Sequence, residues 1–141
     1  MMCREMPPKV TSLEPIFAER MEHADDWYEW GQRLIELRKY PKALLAFHRV
    51  VMLSPRHKQG WYQLGRLWGV LEQYEPSIRA LDRALAIAPD HAQAWYYRGL
   101  AFYYLSQRQE SIASLERAVQ CDPGLTEAVE LLQVLRDEGC S

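Results

Sequence analysis

Apolar residues along this chain fall in pairs of helical stripes. Trp61, Leu64, Trp68 and Leu71 stand at i, i+3, i+7 and i+10, and after a polar break Ile78, Leu81, Leu85 and Ala88 repeat those steps. Steps of three and four put side chains on one face of a helix, so the pattern predicts two amphipathic helices in succession. Between them Gln73-Tyr74-Glu75-Pro76 reads as the turn, with Pro76 in the first turn of the second helix, where a missing N–H costs little. Pro41 holds the same place upstream. Pro55, Pro89 and Pro123 are expected to stop the second helices, because each removes a donor and biases its predecessor away from helical angles.

The stripes belong to a repeat. Trp27, Trp61 and Trp95 are 34 residues apart, and Gly31, Gly65 and Gly99 keep the same step, as do the three helix-stopping prolines. Joint recurrence of scarce residues marks one duplicated unit, running over residues 24–57, 58–91 and 92–125. Within a unit the indole is expected to fill the gap between the two helices, and the glycine to let their backbones approach. A stack of such units exposes an apolar face at each end unless something covers it. Leu125, Val129, Leu132 and Leu135 predict an amphipathic capping helix over 125–138, followed by a tail at 139–141. In the N-terminal tail, residues 1–23, Leu13, Ile16, Phe17 and Met21 predict a short capping helix near 13–22. The alternative for that segment is an arm that occupies a binding groove.

Composition narrows the class. With 141 residues, 48% hydrophobic and 26% charged, the chain suits one domain that buries a core. A net charge of -2 leaves no positive excess for a phosphate backbone, so nucleic acid is not expected as partner. No apolar run suits a secretion signal or a bilayer span, which sets the expectation of a cytoplasmic protein without membrane insertion. Cys3, Cys121 and Cys140 lack metal-ligand spacing and are read as reduced thiols. His23, His57 and His91 also obey the 34-residue step. Equivalent positions of stacked helices lie roughly 8–10 Å apart, too far to share an ion held at about 2 Å, so these histidines are read as solvated at the turns. No phosphate-cradling loop, paired-cysteine motif or nucleophile motif appears, so no enzyme, cofactor or metal site is expected.

At this point the residues resemble the tetratricopeptide repeat family, with its W-x2-L-G-x2-Y, A-x3-F, A, P pattern. The second unit offers Trp61, Leu64, Gly65, Trp68, Ser77, Leu81, Ala84 and Pro89. The third offers Trp95, Gly99, Phe102, Ser111, Leu115, Ala118 and Pro123, and the first Trp27, Gly31, Leu34, Ala43, Phe47, Val50 and Pro55. Trp30 and Arg98 stand where the family usually has Leu, and Ser77 and Ser111 where it prefers Ala. Arg98 is expected to lay its stem on apolar surface and send its charge to water.

The resemblance implies an all-α fold, a right-handed superhelical solenoid of antiparallel helix pairs, whose first helices line a concave groove that binds another protein. Carried over position by position, that groove comprises Asp25, Tyr28, Gln32 and Glu36 of the first unit, Tyr62, Arg66 and Val70 of the second, and Tyr96, Leu100, Tyr103 and Tyr104 of the third. Tyr28, Tyr62 and Tyr96 form a ladder, and the groove is acidic at the first unit and aromatic at the third. The expected ligand is a peptide or helical segment with apolar anchors at one end and a basic residue near Asp25, Glu29 and Glu36. Cochaperones of this family that grip a C-terminal carboxylate use Lys, Asn and Arg at positions held here by Tyr28, Gln32, Tyr62 and Arg66, so that clamp is largely absent. An adaptor or scaffold is the leading role. A chaperone or assembly factor for a secreted or membrane-complex subunit is the alternative, and pairing of two copies a third class.

Overall fold

The computed structural model describes residues 23–140; the helix expected near 13–22 lies outside the described residues. Among these there are seven helices and no strand: α1 (Ala24–Glu36), α2 (Tyr40–Leu53), α3 (Lys58–Val70), α4 (Tyr74–Ile87), α5 (Ala92–Tyr104), α6 (Arg108–Cys121) and α7 (Thr126–Cys140). Consecutive helices pack as hairpins, α1 on α2, α3 on α4 and α5 on α6, and α7 closes the stack against α6. The result is a helical solenoid.

Local chemistry sets each boundary. The second helices end at Leu53, Ile87 and Cys121, two residues before Pro55, Pro89 and Pro123, as the restriction on a pre-proline residue requires. The first helices end differently. Arg38, Glu72 and Ser106 take φ of 59°, 62° and 61°, and the next N–H in each turn reaches back five residues to Leu34, Trp68 and Phe102 carbonyls at 2.8–2.9 Å. This is a left-handed stop of the Schellman kind, built without glycine. The turn therefore lies at Leu71–Gln73 and α4 begins at Tyr74, earlier than the Gln73–Pro76 turn expected from the proline.

The gap inside each hairpin is filled from both helices: Trp27 is buried in one cluster with Ala43, Phe47 and Val50, and Trp61 and Trp95 pack partly buried against the clusters of Leu81 and Leu115. Phe47, Leu81 and Leu115 are fully buried and press on Gly31, Gly65 and Gly99; a methyl group on those glycines would lie 2.7, 2.5 and 2.8 Å from them. Only glycine fits there. Ser77 and Ser111 are buried in the same seam, and each hydroxyl donates a 2.7 Å hydrogen bond to the carbonyl of Gly65 or Gly99. A hydroxyl replaces the family's methyl without leaving a buried polar group unpaired. Trp61 and Trp95 also tie each unit to the one before it. Each indole N–H donates at 2.8 Å to the carbonyl of Pro55 or Pro89 in the preceding loop, and Arg83 and Arg117 stack on the two rings at 4.6 and 4.9 Å.

Candidate partner-binding surface

The joints between units give the stack its inner and outer faces. His57 and His91 are half-buried, and their Nδ1 atoms accept the Gly60 and Ala94 N–H groups at 2.9 and 3.2 Å, capping α3 and α5. They are N-caps rather than the solvated turn residues expected. Tyr28 lies on the His57 ring at 5.2 Å and Tyr62 on the His91 ring at 4.5 Å, so the tyrosine of one unit seats the cap of the next. Burial is the first cause that lowers the His91 pKa below its ordinary 6.5, with Lys58 nearby as the second.

On the inner face α3 packs directly against α5, and between them opens a groove of about 350 Å³. Arg66, Val70, Tyr97, Leu100 and Tyr104 line it, and Tyr74 closes one side. Tyr74 and Tyr104 are stacked at 5.1 Å, Tyr103 meets Tyr104 edge-on at 5.4 Å, and Arg66 lies over the Tyr97 ring at 5.7 Å while donating to Gln63 Oε1 at 3.0 Å. Val70 and Tyr104 are more than half exposed. Such a surface offers rigid rings of low rotamer cost to an incoming chain.

A sequence model of the tetratricopeptide repeat family matches residues 69–126. Solved structures agree over most of the chain. The first TPR of Spaghetti (RPAP3) bound to the HSP90 peptide SRMEEVD superposes with a TM-score of 0.81 at 19% identity, covering 85% of this chain and 95% of that one. Residues 69–126 thus match the tetratricopeptide repeat, and the chain shares the fold of tetratricopeptide-repeat proteins. The Yersinia enterocolitica type III secretion chaperone SycD, in complex with a peptide of the translocator YopD, gives 0.78 at 13% identity over 82% of this chain and 93% of that one. MamA from Desulfovibrio magneticus RS-1 gives 0.79 at 27% identity, with 85% and 68% covered. No curated protein sequence matches the chain.

Within these repeats the residues named from sequence are not equally placed. Val70, Arg66, Leu100 and Tyr104 meet in one groove, with exposed Tyr103 beside them. Tyr62 is only 7% exposed; its hydroxyl donates to Gln93 Oε1 at 3.3 Å, and burial foremost, then Tyr97, pushes its pKa up to about 12. Tyr28 and Tyr96 are half-buried, Tyr28 against Phe47 and His57, Tyr96 against Tyr97. The ladder thus holds repeats together along much of its length. Asp25, Gln32 and Glu36 are exposed on α1, and with Glu29 they stand at steps of four, three and four, one face of that helix. Asp25 Oδ1 lies 3.6 Å from His57 Nε2. Tyr74 was not legible from sequence, because its stacking on Tyr104 depends on how the α3–α4 turn is folded. Among the described residues no helix is long and apolar enough to cross a membrane.

Proposed function

We propose that the inner face of α1, α3 and α5 binds a peptide segment of a partner protein, as an adaptor or scaffold and not as a catalyst. The supporting observation is the open groove between α3 and α5, where Val70 and Tyr104 offer apolar surface that the protein's own core leaves uncovered. An apolar or aromatic side chain of the ligand enters beside Leu100 and Tyr104, and a basic residue lies toward the Asp25, Glu29 and Glu36 stripe. An acidic terminus of the SRMEEVD kind does not suit this groove. Arg66 is the one cation among the four clamp positions, and it is already held by Gln63 and Tyr97.

The likeness to the secretion chaperone SycD supports a second reading, that the chain guards a partner subunit until assembly. A chaperone keeps an insoluble partner in solution and then leaves it, whereas an adaptor persists in the finished complex. The binding surface itself is tested with a phage-displayed library of peptides of about 12 residues selected on the full chain, a length suited to an extended groove ligand. Selected peptides are expected to lose tenfold or more in affinity on Tyr104→Ala and to carry a basic residue on one side of an apolar anchor. Peptides that bind Tyr104→Ala as well as the parent would overturn the assignment.

A further inference from the structure

The outer face of the stack carries a second groove, larger than the first. The second helices α2 and α4 stand apart over α3 and leave about 930 Å³ between them, with Trp61, Leu64 and Trp68 as the floor. One wall is a stripe on α2, Leu45, His48 and Met52, at the steps of three and four that a packed helix presents to a neighbour. Leu45 is 69% exposed and Met52 64%. Large aliphatic side chains left in water along such a stripe mark an interaction surface, not a core.

The repeat supplies an internal control. One period further on, the positions of Leu64, His48 and Ala80 are held by Arg98, Asp82 and Ser114. There the Arg98 guanidinium donates from Nε to Asp82 Oδ1 at 2.7 Å and from Nη1 to Ser114 Oγ at 2.8 Å. It also stacks over Trp95 and Phe102 at 5.6 and 5.0 Å. The chain therefore bridges the α4/α6 crevice with its own ion pair, while the same crevice between α2 and α4 is lined mostly by apolar side chains and, among the described residues, is not bridged. On the α4 wall stand two cations, Arg79 and Arg83. Arg83 is seated on Trp61, Arg79 is exposed and has no acid partner among the described residues, and the acid of that wall, Asp82, is taken by Arg98.

We infer that the α2/α4 groove is a second docking site, for an amphipathic helix of a partner protein with acidic residues along the flank that faces α4. A helix is the matching shape because both walls are helices of 14 residues, roughly 20 Å long at 1.5 Å per residue, and α2 presents ridges spaced for knobs of another helix. The acidic flank follows from the uncompensated charge of Arg79 and Arg83. This site lies on the opposite face from the peptide groove of α3 and α5, so one chain would join two partners at once.

Two synthetic helical peptides test this on the full chain. Both carry Leu at i, i+3, i+4 and i+7; one has Glu along the flanks and the other Lys. The Glu peptide is expected to move the indole N–H resonances of Trp61 and Trp68 and to bind at least tenfold more tightly than the Lys peptide. Leu45→Glu with Met52→Glu, both at exposed positions, should abolish that binding with the helical circular dichroism unchanged. Arg79→Glu should invert the preference, and Tyr104→Ala should leave it alone. Equal binding of the two peptides, no shift at the two indoles, or loss on Tyr104→Ala would overturn the site. So would concentration-dependent self-association abolished by Leu45→Glu, which would make a second copy the occupant. A tenfold gain in Glu-peptide affinity on Leu13→Glu with Phe17→Glu would overturn it too, by making the chain's own residues 1–22 the occupant.

Discussion

The two joints of this solenoid are built from one plan and finished differently. Both use a histidine cap seated by a tyrosine and an indole bonded to the preceding loop. At the second joint the outer crevice is bridged by Arg98 between Asp82 and Ser114. At the first, Leu64 lies buried at the equivalent place and the crevice is left open and apolar. Backbone geometry is thus set by the shared residues, while three substitutions at matching positions decide whether a face is sealed or offered. A duplicated unit can diverge in surface function without disturbing its core, since the seam of Gly65 with Leu81 and Gly99 with Leu115 lies on another side of the same helices.

Exchanging the contents of the crevices gives the sharpest test. Leu64→Arg places a cation at a buried position without an acid, and should cost about 3 kcal/mol, the scale of an uncompensated buried charge, read by urea unfolding. Adding His48→Asp and Ala80→Ser should recover at least half of the loss; a single variant as stable as its parent would mean that the cation escapes from the Leu64 position into the open groove. The converse, Arg98→Leu, should cost only about 1 kcal/mol, because Asp82 is exposed and one hydrogen bond to Ser114 is lost.

The smallest effect concerns the caps. His91 accepts a backbone N–H only when neutral, and its folded pKa is lowered by burial and then by Lys58. The unfolded chain therefore takes up this proton more readily, and the stability the cap contributes is present in full above the ordinary value of 6.5 and declines as pH falls through it. His91→Asn keeps a capping side chain without a titrating group, so the melting temperature of that variant should fall less on acidification than the parent's. Identical pH profiles would remove His91 from the account.

Much of the fold was legible because helical periodicity and a 34-residue step act through local geometry. Gly31, Gly65 and Gly99 signalled close approach before any contact was known, and the prolines marked helix ends within two residues. The left-handed stops at Arg38, Glu72 and Ser106 were not legible, because none is glycine and the return hydrogen bond that defines them joins residues after the chain has turned. The indoles were legible only in part, for a related reason: their packing inside the hairpin was expected, their hydrogen bonds to the preceding loop were not. A large ring at a recurrent position announces packing without saying which neighbour it packs on. The candidate surface shared this limit: the tyrosine positions could be named, but the burial of Tyr62 and the stacking of Tyr74 on Tyr104 depend on adjacent repeats.

What the sequence alone determined is the repeated hairpin, its helix ends and the family it resembles, since spacing, proline and glycine constrain the backbone within a few residues. What only the tertiary structure decided is which side chains the stacking consumes and which it leaves in water. Arg98 finds Asp82 and Ser114 across two other helices, whereas Leu45 and Met52 stay largely exposed among the described residues, and a difference of that kind is set by distances between helices that no local pattern encodes.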